Sequence, residues 1–576
     1  MKRLLFHIFF IVLIIFFYIV LSEKPNYEKK IVHYQKSNNI IDTFRKTKNM
    51  YPNKKALVDL NTGKELTFSE YWNMCCHFAN KLQTFKTKNR VVCTIGYNSM
   101  EWFISCMGTL LGYWSFSGIY TTNKTDSFVY ILNNCKAHVL VVDSVEQFQK
   151  IEPVLDNLIY LKHIVITSLI SLKKMYKNIV IYDWKSFFDT TSKINFEKPY
   201  YIDGNKTATL IYTSGTTGNP KGVQISHNNI NWTLERIVQS ISINFRSGRI
   251  ISYLPSSHIA GQLFDIYAPL LTSSTVYFAD KTILKDKKVL VNTLKTVKPT
   301  IFVGVPRVWE KIYEGLNKKI GKSLKYYLLK YGLGRQTLKE KLGFGETMVM
   351  ISAAAPLNKE VSEYLKSVGF NIHQIYGMSE TTGPISSTLF GDNMLGVGKV
   401  LPGVRVVIDK KTQEILVSGG NLFTGYLGDY RKTLESFNKD GYFKTGDIGK
   451  IENGTLYVTG RMKELIITSG GENVSPVPIE DKIKKAIHGL DNCVVVGDRK
   501  KFLSVLLFVG KNKINVDLKK VFDKINKEAE SNAQTIKKWK VVGDVLSVEN
   551  EMLTPTLKIK RNKVIKKYNK IISSLY

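Results

Sequence analysis

A stretch dense in glycines and hydroxyl side chains, and closed by a lysine, is the strongest chemical signal in the chain. It reads Ile-Tyr-Thr-Ser-Gly-Thr-Thr-Gly-Asn-Pro-Lys-Gly-Val and covers residues 211–223. Glycines let the backbone turn its N–H groups toward an anion, hydroxyls donate hydrogen bonds, and the lysine adds a positive charge. The stretch therefore predicts a phosphate-binding loop, whose candidate ligands are Thr213, Ser214, Gly215, Thr216, Thr217, Gly218 and Lys221.

This loop differs from the two commonest nucleotide-binding loops. The P-loop pattern requires Ser or Thr directly after its lysine, whereas Gly222 follows Lys221 here. The glycine spacing also differs from the GxGxxG turn of dinucleotide-binding domains. We infer a phosphate site of a third type.

Four later stretches place single charged residues beside glycines, threonines or a proline. They are Tyr-Gly-Met-Ser-Glu-Thr-Thr at 376–382, Tyr-Phe-Lys-Thr-Gly-Asp-Ile-Gly at 442–449, the glycine-rich segment 460–473, and Thr-Pro-Thr-Leu-Lys-Ile-Lys-Arg at 554–561. Together with 211–223, and in this order, they resemble the acyl-adenylate-forming superfamily: acyl-CoA synthetases, adenylation domains of peptide synthetases, and luciferases. The resemblance extends from about residue 45 to residue 570.

The resemblance implies that ATP binds across the first three of these later stretches. One carboxylate is enough to hold an Mg²⁺ ion that bridges phosphates, and Glu380 would supply it. Asp447 would accept hydrogen bonds from two ribose hydroxyls, and Arg461 would contribute a rigid donor fork. The adenine would stack on the aromatic element, whose candidate residues are Tyr376, Gly377 and Ser379, with serine where threonine is commoner.

The last stretch carries the residue that we expect to catalyse adenylate formation. Lys558 is a flexible point charge that can reach the charge developing between a carboxylate and the α-phosphate. Leu557 stands where the family usually has glycine, so Lys560 remains an alternative. The resemblance also implies that the C-terminal domain rotates about a hinge at Lys463 and presents the Gly470–Gly471 side for a second reaction with a thiol.

Two further segments resemble the part of the family that lines the acyl pocket. His258 follows Tyr-Leu-Pro-Ser-Ser at 253–257, and a buried core histidine is an equally good interpretation of it. The small-residue turn at 352–356 would let the backbone approach a ligand closely. The candidate pocket residues are His258, Ala353 and Ala354.

The amino-acid sequences of these segments most resemble those of long-chain and very-long-chain fatty acyl-CoA synthetases, especially the bubblegum-type branch. The implied reaction converts ATP, a fatty acid and CoA into acyl-CoA, AMP and pyrophosphate. Two alternatives remain: an adenylating enzyme for another carboxylic acid, and a catalytically silent fatty-acid binding or uptake protein. The second would be expected to lack Glu380 or Lys558, and both are present.

The charge of the chain suggests polyanionic partners. It has 82 Lys and Arg against 48 Asp and Glu, a formal charge of +34 over 576 residues. The sequence shows no basic stripe interleaved with aromatics and no paired-cysteine zinc finger, so a third reading, a nucleic-acid binder, is disfavoured. We expect dispersed surface lysines, some of them near a membrane, and predict neither a nucleic-acid nor a protein partner.

The amino terminus predicts a membrane anchor over residues 1–22. An apolar run from Leu4 to Leu21 would reach ~27 Å as a helix, enough to span a bilayer core. A cleaved signal peptide and a buried helix are the alternatives. Lysines flank both ends, so the orientation is open. A sequon at Asn473 in the expected active site favours a cytosolic catalytic body, on the endoplasmic reticulum or another endomembrane, over the secretory lumen.

The elements around these motifs predict an α/β fold. Short β-branched runs at 90–96, 138–143, 208–213, 249–254 and 300–305 read as strands that alternate with amphipathic stretches. The segment 348–376 predicts a strand, a helix capped by Asn358 and ended by Gly369, and a second strand. Residues 400–460 predict a small antiparallel sheet or barrel. The expected organisation is a large domain at 40–459, a hinge at 460–463 and a small mobile α+β domain at 464–576.

Overall fold

A computed structural model describes most of the chain from Asn39 to the C-terminus. The described ranges are 39–168, 174–188, 202–213, 219–240, 248–284, 286–321, 323–353, 357–390, 396–469, 472–487, 489–510, 514–529, 531–554 and 558–576. Several predicted features lie outside these ranges: the anchor at 1–22, the loop residues Ser214, Gly215, Thr216, Thr217 and Gly218, the pocket residue Ala354, and the pair Gly470–Gly471.

The strands within the described ranges are, in chain order, β1 Lys55–Asp59, β2 Glu65–Thr67, β3 Val91–Ile95, β4 Ser115–Ile119, β5 Val139–Val142, β6 His163–Ile166, β7 Lys174–Tyr176, β8 Ile179–Asp183, β9 Thr207–Thr213, β10 Lys221–Ser226, β11 Arg249–Ser252, β12 Thr275–Phe278, β13 Ile301–Gly304, β14 Val349–Ser352, β15 Ile372–Met378, β16 Gly383–Ser387, β17 Lys399–Val400, β18 Arg405–Ile408, β19 Glu414–Ser418, β20 Gly425–Tyr426, β21 Phe443–Glu452, β22 Thr455–Arg461, β23 Ile466–Ile467, β24 Asn473–Val474, β25 Asn492–Val496, β26 Leu503–Phe508 and β27 Ile536–Val542.

The α-helices in the same ranges are α1 Ile40–Met50, α2 Phe68–Gln83, α3 Met100–Leu111, α4 Thr125–Asn134, α5 Val145–Ile151, α6 Trp184–Phe187, α7 His227–Ser240, α8 Ile259–Gly261, α9 Ala268–Thr272, α10 Lys287–Val297, α11 Pro306–Ile320, α12 Leu324–Lys330, α13 Arg335–Leu342, α14 Lys359–Ser367, α15 Tyr430–Glu435, α16 Pro476–Ala486, α17 Leu518–Lys527, α18 Arg561–Lys567 and α19 Asn569–Ser573. A π-helix, Gln262–Tyr267, lies between α8 and α9.

Two nine-stranded sheets form the large N-terminal part. The first runs β17-β16-β15-β14-β13-β11-β12-β1-β2 and the second β20-β10-β9-β4-β3-β5-β6-β8-β7. Their central strands are parallel, as in β13 with β14 and β3 with β5. Central strands such as β5 are buried along their whole length, because helices and neighbouring layers cover both faces. The predicted α/β class is therefore confirmed.

One apolar core joins the two sheets. It contains Leu57 and Val276 of the first sheet, Phe116 and Ile211 of the second, and Phe103 of helix α3, all nearly inaccessible to solvent. Burial of aromatic side chains of this size dominates the energetics of such a core. Side chains from both sheets therefore pack into a shared core.

The predicted strand–helix–strand unit is confirmed. β14 leads to α14, whose first turn is capped by the Asn358 side chain accepting the Glu360 N–H at 2.9 Å. Helix α14 buries Val361 and Leu365, and Gly369 follows it with φ of 99°. This left-handed conformation suits glycine and ends the helix.

The segment 405–461 and the C-terminal part form smaller sheets. Strands β18-β19-β21-β22 make an antiparallel sheet whose edges β18 and β22 do not pair in the described residues. Of the two predicted alternatives, the antiparallel sheet is confirmed and the barrel is wrong. Strands β25, β26 and β27 form a three-stranded sheet covered by α16 and α17. In the described ranges, no helix is both long and apolar enough to cross a membrane.

Candidate active site

Three predicted nucleotide-binding residues contact one another. The Tyr376 hydroxyl donates a hydrogen bond to Asp447 Oδ2 at 2.9 Å, and Arg461 Nε donates to Asp447 Oδ1 at 2.8 Å. Asp447 is buried, whereas the Arg461 side chain is almost half exposed. Burial and the Asp447 charge raise the pKa of Tyr376 well above its usual value, so its hydroxyl remains a donor.

Local strand geometry brings these residues together. Asp447 on β21 and Arg461 at the end of β22 are register partners in an antiparallel pair. Gly446 precedes Asp447 with φ of 74°, a left-handed turn that suits glycine. Next to Tyr376, a Cβ on Gly377 would overlap the Gly383 carbonyl oxygen, so only glycine permits this approach of β15 to β16.

Glu380 and Lys221 form a second group around a tyrosine. Glu380 lies in the short helical turn Ser379–Thr381, and its Oε1 accepts a hydrogen bond from the Tyr426 hydroxyl at 2.9 Å. Lys221 Nζ lies 4.4 Å from the centre of the Tyr426 ring, a cation–π contact. Tyr426 thus contacts an acidic side chain, Glu380, through its hydroxyl and a basic side chain, Lys221, through its ring.

Lys221 sits at the mouth of the predicted phosphate loop. Lys221 is the register partner of Thr213, at the end of the β9–β10 pair. The five loop residues outside the described ranges lie between these two residues in the chain. Burial lowers the pKa of Lys221; the charge of Glu380 opposes this shift, and the charge of Lys463 adds to it. The predicted hinge lysine therefore lies close enough to Lys221 to repel it.

The charges of the first group act on Lys558. Lys558 is exposed to solvent, and partial desolvation of its ammonium together with the Arg461 charge lowers its pKa. The charges of Asp447 and Glu464 act in the opposite direction. Its backbone is held by the Lys558 N–H donating to Thr554 Oγ1 at 3.0 Å.

Lys560, the alternative to Lys558, has different neighbours. Burial and the charges of Lys563 and Lys124 lower its pKa. Neither Asp447 nor Arg461 contributes to that shift, in contrast to Lys558. Within the described residues, the electrostatics therefore connect Lys558, and not Lys560, to the Tyr376–Asp447–Arg461 group.

His258 caps a helix at the expected acyl pocket. Its Nδ1 accepts the Ala260 N–H at 3.1 Å at the start of α8. Burial, aided by the Lys558 charge, lowers the pKa of His258 to about 4, so the imidazole is neutral at physiological pH. His258 thus has both a structural partner and a place beside Lys558. Ala353, at the end of β14, is buried.

A buried acid behind this segment has no counterpart in the sequence predictions. Ser252 Oγ donates to Asp265 Oδ2 at 2.8 Å, and Asn98 Nδ2 donates to Ser252 Oγ at 2.8 Å. Asn98 Oδ1 in turn accepts the Ser256 N–H at 3.1 Å, two residues before His258. Burial raises the pKa of Asp265 to about 8. Asp265 lies in the π-helix, which is recognised only in the folded structure, so the sequence offered no signal for this residue.

The described residues fit a metal held mainly by phosphates. No cluster of three or more His, Cys, Asp or Glu side chains suited to a metal occurs among them. Glu380 has one oxygen engaged with Tyr426, and its second oxygen has no hydrogen-bond partner among the described residues. A single free carboxylate oxygen is what Mg²⁺ requires when ATP supplies its other ligands.

Models of protein families match both parts of the chain. Residues 44–427 match the AMP-binding enzyme family, and residues 463–576 match the AMP-binding enzyme C-terminal domain. The chain belongs to the AMP-binding enzyme family. Membership agrees with the resemblance of the five motifs and with the order in which they occur.

Curated relatives of this AMP-binding enzyme align along most of its length. The Homo sapiens long-chain-fatty-acid–CoA ligase ACSBG2 is 33% identical, covering 93% of this chain and 92% of the relative. The Mus musculus long-chain-fatty-acid–CoA ligase ACSBG1 is 33% identical, covering 84% of this chain and 78% of the relative.

Solved structures share the fold of this AMP-binding enzyme. The A domain of carboxylic acid reductase from Segniliparus rugosus, in complex with AMP and a co-purified carboxylic acid, superposes with a TM-score of 0.76 at 16% identity, covering 93% of this chain and 94% of that one. ATP-bound MatB from Rhodopseudomonas palustris gives 0.74 at 22% identity, covering 93% and 100%. A large domain followed by a small C-terminal domain is thus common to these proteins.

Proposed function

We propose that this protein is a long-chain fatty acid–CoA ligase that works through an acyl-adenylate. The observation that carries the proposal is the contact group in which the Tyr376 hydroxyl and Arg461 Nε both donate to the Asp447 carboxylate, three residues that the family resemblance assigns to ATP. The charges of Arg461 and Asp447 also act on the pKa of Lys558, on the C-terminal domain. The named activity of the curated relatives, at 33% identity over most of both chains, supports the same reaction.

In the first half-reaction, a carboxylate oxygen of the fatty acid attacks the α-phosphorus of ATP. The new P–O bond replaces the bond to the bridging oxygen, and pyrophosphate leaves. Lys558 would offset the charge that develops between carboxylate and α-phosphate, and Lys221 would hold the outer phosphates. Asp447 and Arg461 would orient the ribose. Mg²⁺, held at Glu380, would neutralise phosphate charge.

In the second half-reaction, the sulfur of CoA attacks the acyl carbon of the adenylate. The C–S bond forms, the bond from that carbon to the AMP oxygen breaks, and the thiol proton goes to solvent or to AMP. Lys558 has no role once pyrophosphate has left, so the C-terminal domain can rotate about Lys463. We propose that this rotation brings the Gly470–Gly471 side toward the acyl group.

The decisive experiment compares two lysines that are two residues apart in the chain, Lys558 and Lys560. Lys558→Ala is expected to abolish fatty-acid-dependent ATP–pyrophosphate exchange while leaving thioester formation from supplied acyl-adenylate nearly intact. Lys560→Ala is the matched control and is expected to retain exchange. Normal exchange by Lys558→Ala, with loss in Lys560→Ala, would transfer the role to Lys560.

The substrate class is tested separately from the reaction. Exchange is measured with saturated fatty acids of increasing length and with aryl and amino acids, with and without CoA. A maximum at long chains is expected. Exchange only with an aryl or amino acid would replace the substrate class and retain the chemistry, and no exchange with any acid would favour the silent binding protein.

We also propose that residues 1–22 anchor the protein in the endoplasmic reticulum or another endomembrane, with the catalytic body in the cytosol. The basis is the apolar run Leu4–Leu21. In a fractionated cell, protease added outside sealed vesicles should digest the body. Protection of the body, or glycosylation at Asn473, would place it in the lumen instead.

A further inference from the structure

Helix α12 carries an apolar stripe that faces solvent. Leu324, Tyr327, Leu328 and Tyr331 fall at i, i+3, i+4 and i+7, the spacing of one helix face. They are 76%, 46%, 44% and 81% exposed, and Leu333, just beyond, is 63% exposed. Such a face normally packs against the core, and here the core is on the other side.

The inner face of the same helix is firmly held. Leu329 is buried, and the Tyr326 ring stacks on Tyr364 of α14 with 5.6 Å between the ring centres. Arg335 Nε donates to the Leu329 carbonyl and its Nη2 to the Lys330 carbonyl, both at 2.7 Å. The outward stripe is therefore presented by an anchored helix.

The chain around this stripe is strongly basic. Residues 318–341 contain eight Lys and Arg but one acidic residue, Glu340, a net charge of +7 out of +34 for the whole chain. The exposed ammonium groups of Lys318, Lys319, Lys325 and Lys330 form no ion pair with any described residue. Exposed apolar side chains with lysines nearby in the chain complement a surface that has an apolar interior and anionic groups at its boundary.

We propose that residues 324–333, here named the α12 surface, dock the protein on an anionic lipid bilayer. Leucines and tyrosines would enter the interfacial region, where tyrosine is favoured, and the surrounding lysines would meet lipid phosphates and carboxylates. A nucleic acid would bind the lysines but leave the leucines exposed to water. A lipid surface accounts for both the exposed apolar side chains and the lysines. The inference does not depend on the proposed reaction.

The test reads the α12 surface directly, because the apolar amino terminus can itself bind vesicles. Hydrogen exchange of 324–333 is measured on the full chain in solution, with phosphatidylcholine vesicles, and with vesicles that also contain phosphatidylserine. Protection is expected only with the anionic vesicles. Unchanged exchange of 324–333 in vesicle-bound protein overturns the proposal. Protection of 324–333 without vesicles, protection that increases with protein concentration, or protection on adding duplex RNA also overturns it.

Variants give an independent measure. Leu324→Ser with Tyr331→Ser, and Lys325→Glu with Lys330→Glu, are each expected to reduce the protection that anionic vesicles give to 324–333 by about tenfold or more in exchange rate. Ile159→Ser with Met175→Ser is the matched control, since these residues are 69% and 66% exposed on another part of the surface. Equal protection of 324–333 in all three variants would overturn the proposal; far-ultraviolet circular dichroism checks that each variant is folded.

Discussion

Lys124 Nζ lies 2.7 Å from Glu551 Oε1, an ion pair that joins the large domain to the C-terminal domain. Lys124 precedes helix α4, whereas Glu551 lies in a turn of the C-terminal domain with φ of 61°. The other carboxylate oxygen of Glu551 pairs with Lys563 of the same domain at 2.7 Å. The proposed rotation of the C-terminal domain would separate Lys124 from Glu551.

We therefore predict that Lys124→Ala slows adenylation by about two- to fivefold, since an exposed pair contributes roughly 0–1 kcal/mol. Thioester formation from supplied acyl-adenylate should keep its rate, because the pair is broken in the rotated state. Lys563→Ala removes only the pair within the C-terminal domain and is the control. A similar loss in both half-reactions would show that the pair has no conformational preference.

Asp447→Asn should raise the KM for ATP by about ten- to a hundredfold, because the proposed ribose hydroxyls would lose a charged acceptor and a hydrogen bond to a charged group is worth ~1.5–3 kcal/mol. Pyrophosphate exchange at varied ATP measures it. Tyr376→Phe removes one hydrogen bond to the same carboxylate but leaves the Asp447 charge in place, so it should have a smaller effect, while its ring is retained for stacking. A larger effect of Tyr376→Phe would contradict this ranking.

The pH profile of adenylation should report Lys558. Burial and the Arg461 charge lower its pKa from 10.5, and the proposed role needs the charged ammonium. The rate should therefore fall as pH rises through a pKa below 10.5. Lys558→Arg stays charged throughout and, although slower, should keep its rate at alkaline pH. An identical alkaline limb in both proteins would exclude Lys558 as its source.

Asp265 should make the folded protein less stable as pH rises. Its pKa is raised from 3.8 to about 8, so between these values the folded state holds a proton that the unfolded state releases. Stability is then full below the unfolded pKa and is lost toward the folded pKa. Asp265→Asn keeps an acceptor for Ser252 Oγ and cannot titrate.

We expect the free energy of unfolding of Asp265→Asn to fall less between about pH 5 and about pH 8 than that of the unsubstituted protein. Denaturant titration at both pH values measures the difference. Parallel declines in the two proteins would mean that Asp265 is ionised in the folded state.

A buried ion pair should stabilise the C-terminal domain. Arg561 Nη1 and Nη2 donate to the two oxygens of Glu480 at 2.7 and 2.8 Å, and both side chains are less than 10% exposed. Glu480→Leu leaves an uncompensated guanidinium and should cost about 3–5 kcal/mol. The double variant with Arg561→Leu should recover much of this in denaturant unfolding. Strictly additive losses would contradict the pairing.

Local patterns were enough to predict the class of fold and the motif residues. The β-branched runs that predicted strands at 138–143 and 300–305 correspond to β5 and β13, shorter by one residue at each end. Asn358 and Gly369 act as the predicted cap and stop. These features depend on neighbours a few residues away, which a sequence displays directly.

Contacts between distant segments could not be predicted in this way. Tyr426 touches Glu380 across 46 positions, and its own segment has no unusual composition. Lys124 and Glu551 are ordinary surface residues until the two domains meet. Asp265 resembles any acidic residue of a helix, and only the surrounding core reveals that its carboxyl is buried.

The register of β21 with β22 determines which groups would travel with the C-terminal domain in the proposed rotation. Arg461 is the last residue of β22, bound to Asp447, and the chain is free of this ladder only from Met462 onward. A rotation about Lys463 would leave the ribose-binding pair behind with the large domain and carry away Lys558. The acyl-adenylate would then stay bound through its AMP portion while the C-terminal domain rotates. It would not be released into solvent before the thiol reaches it.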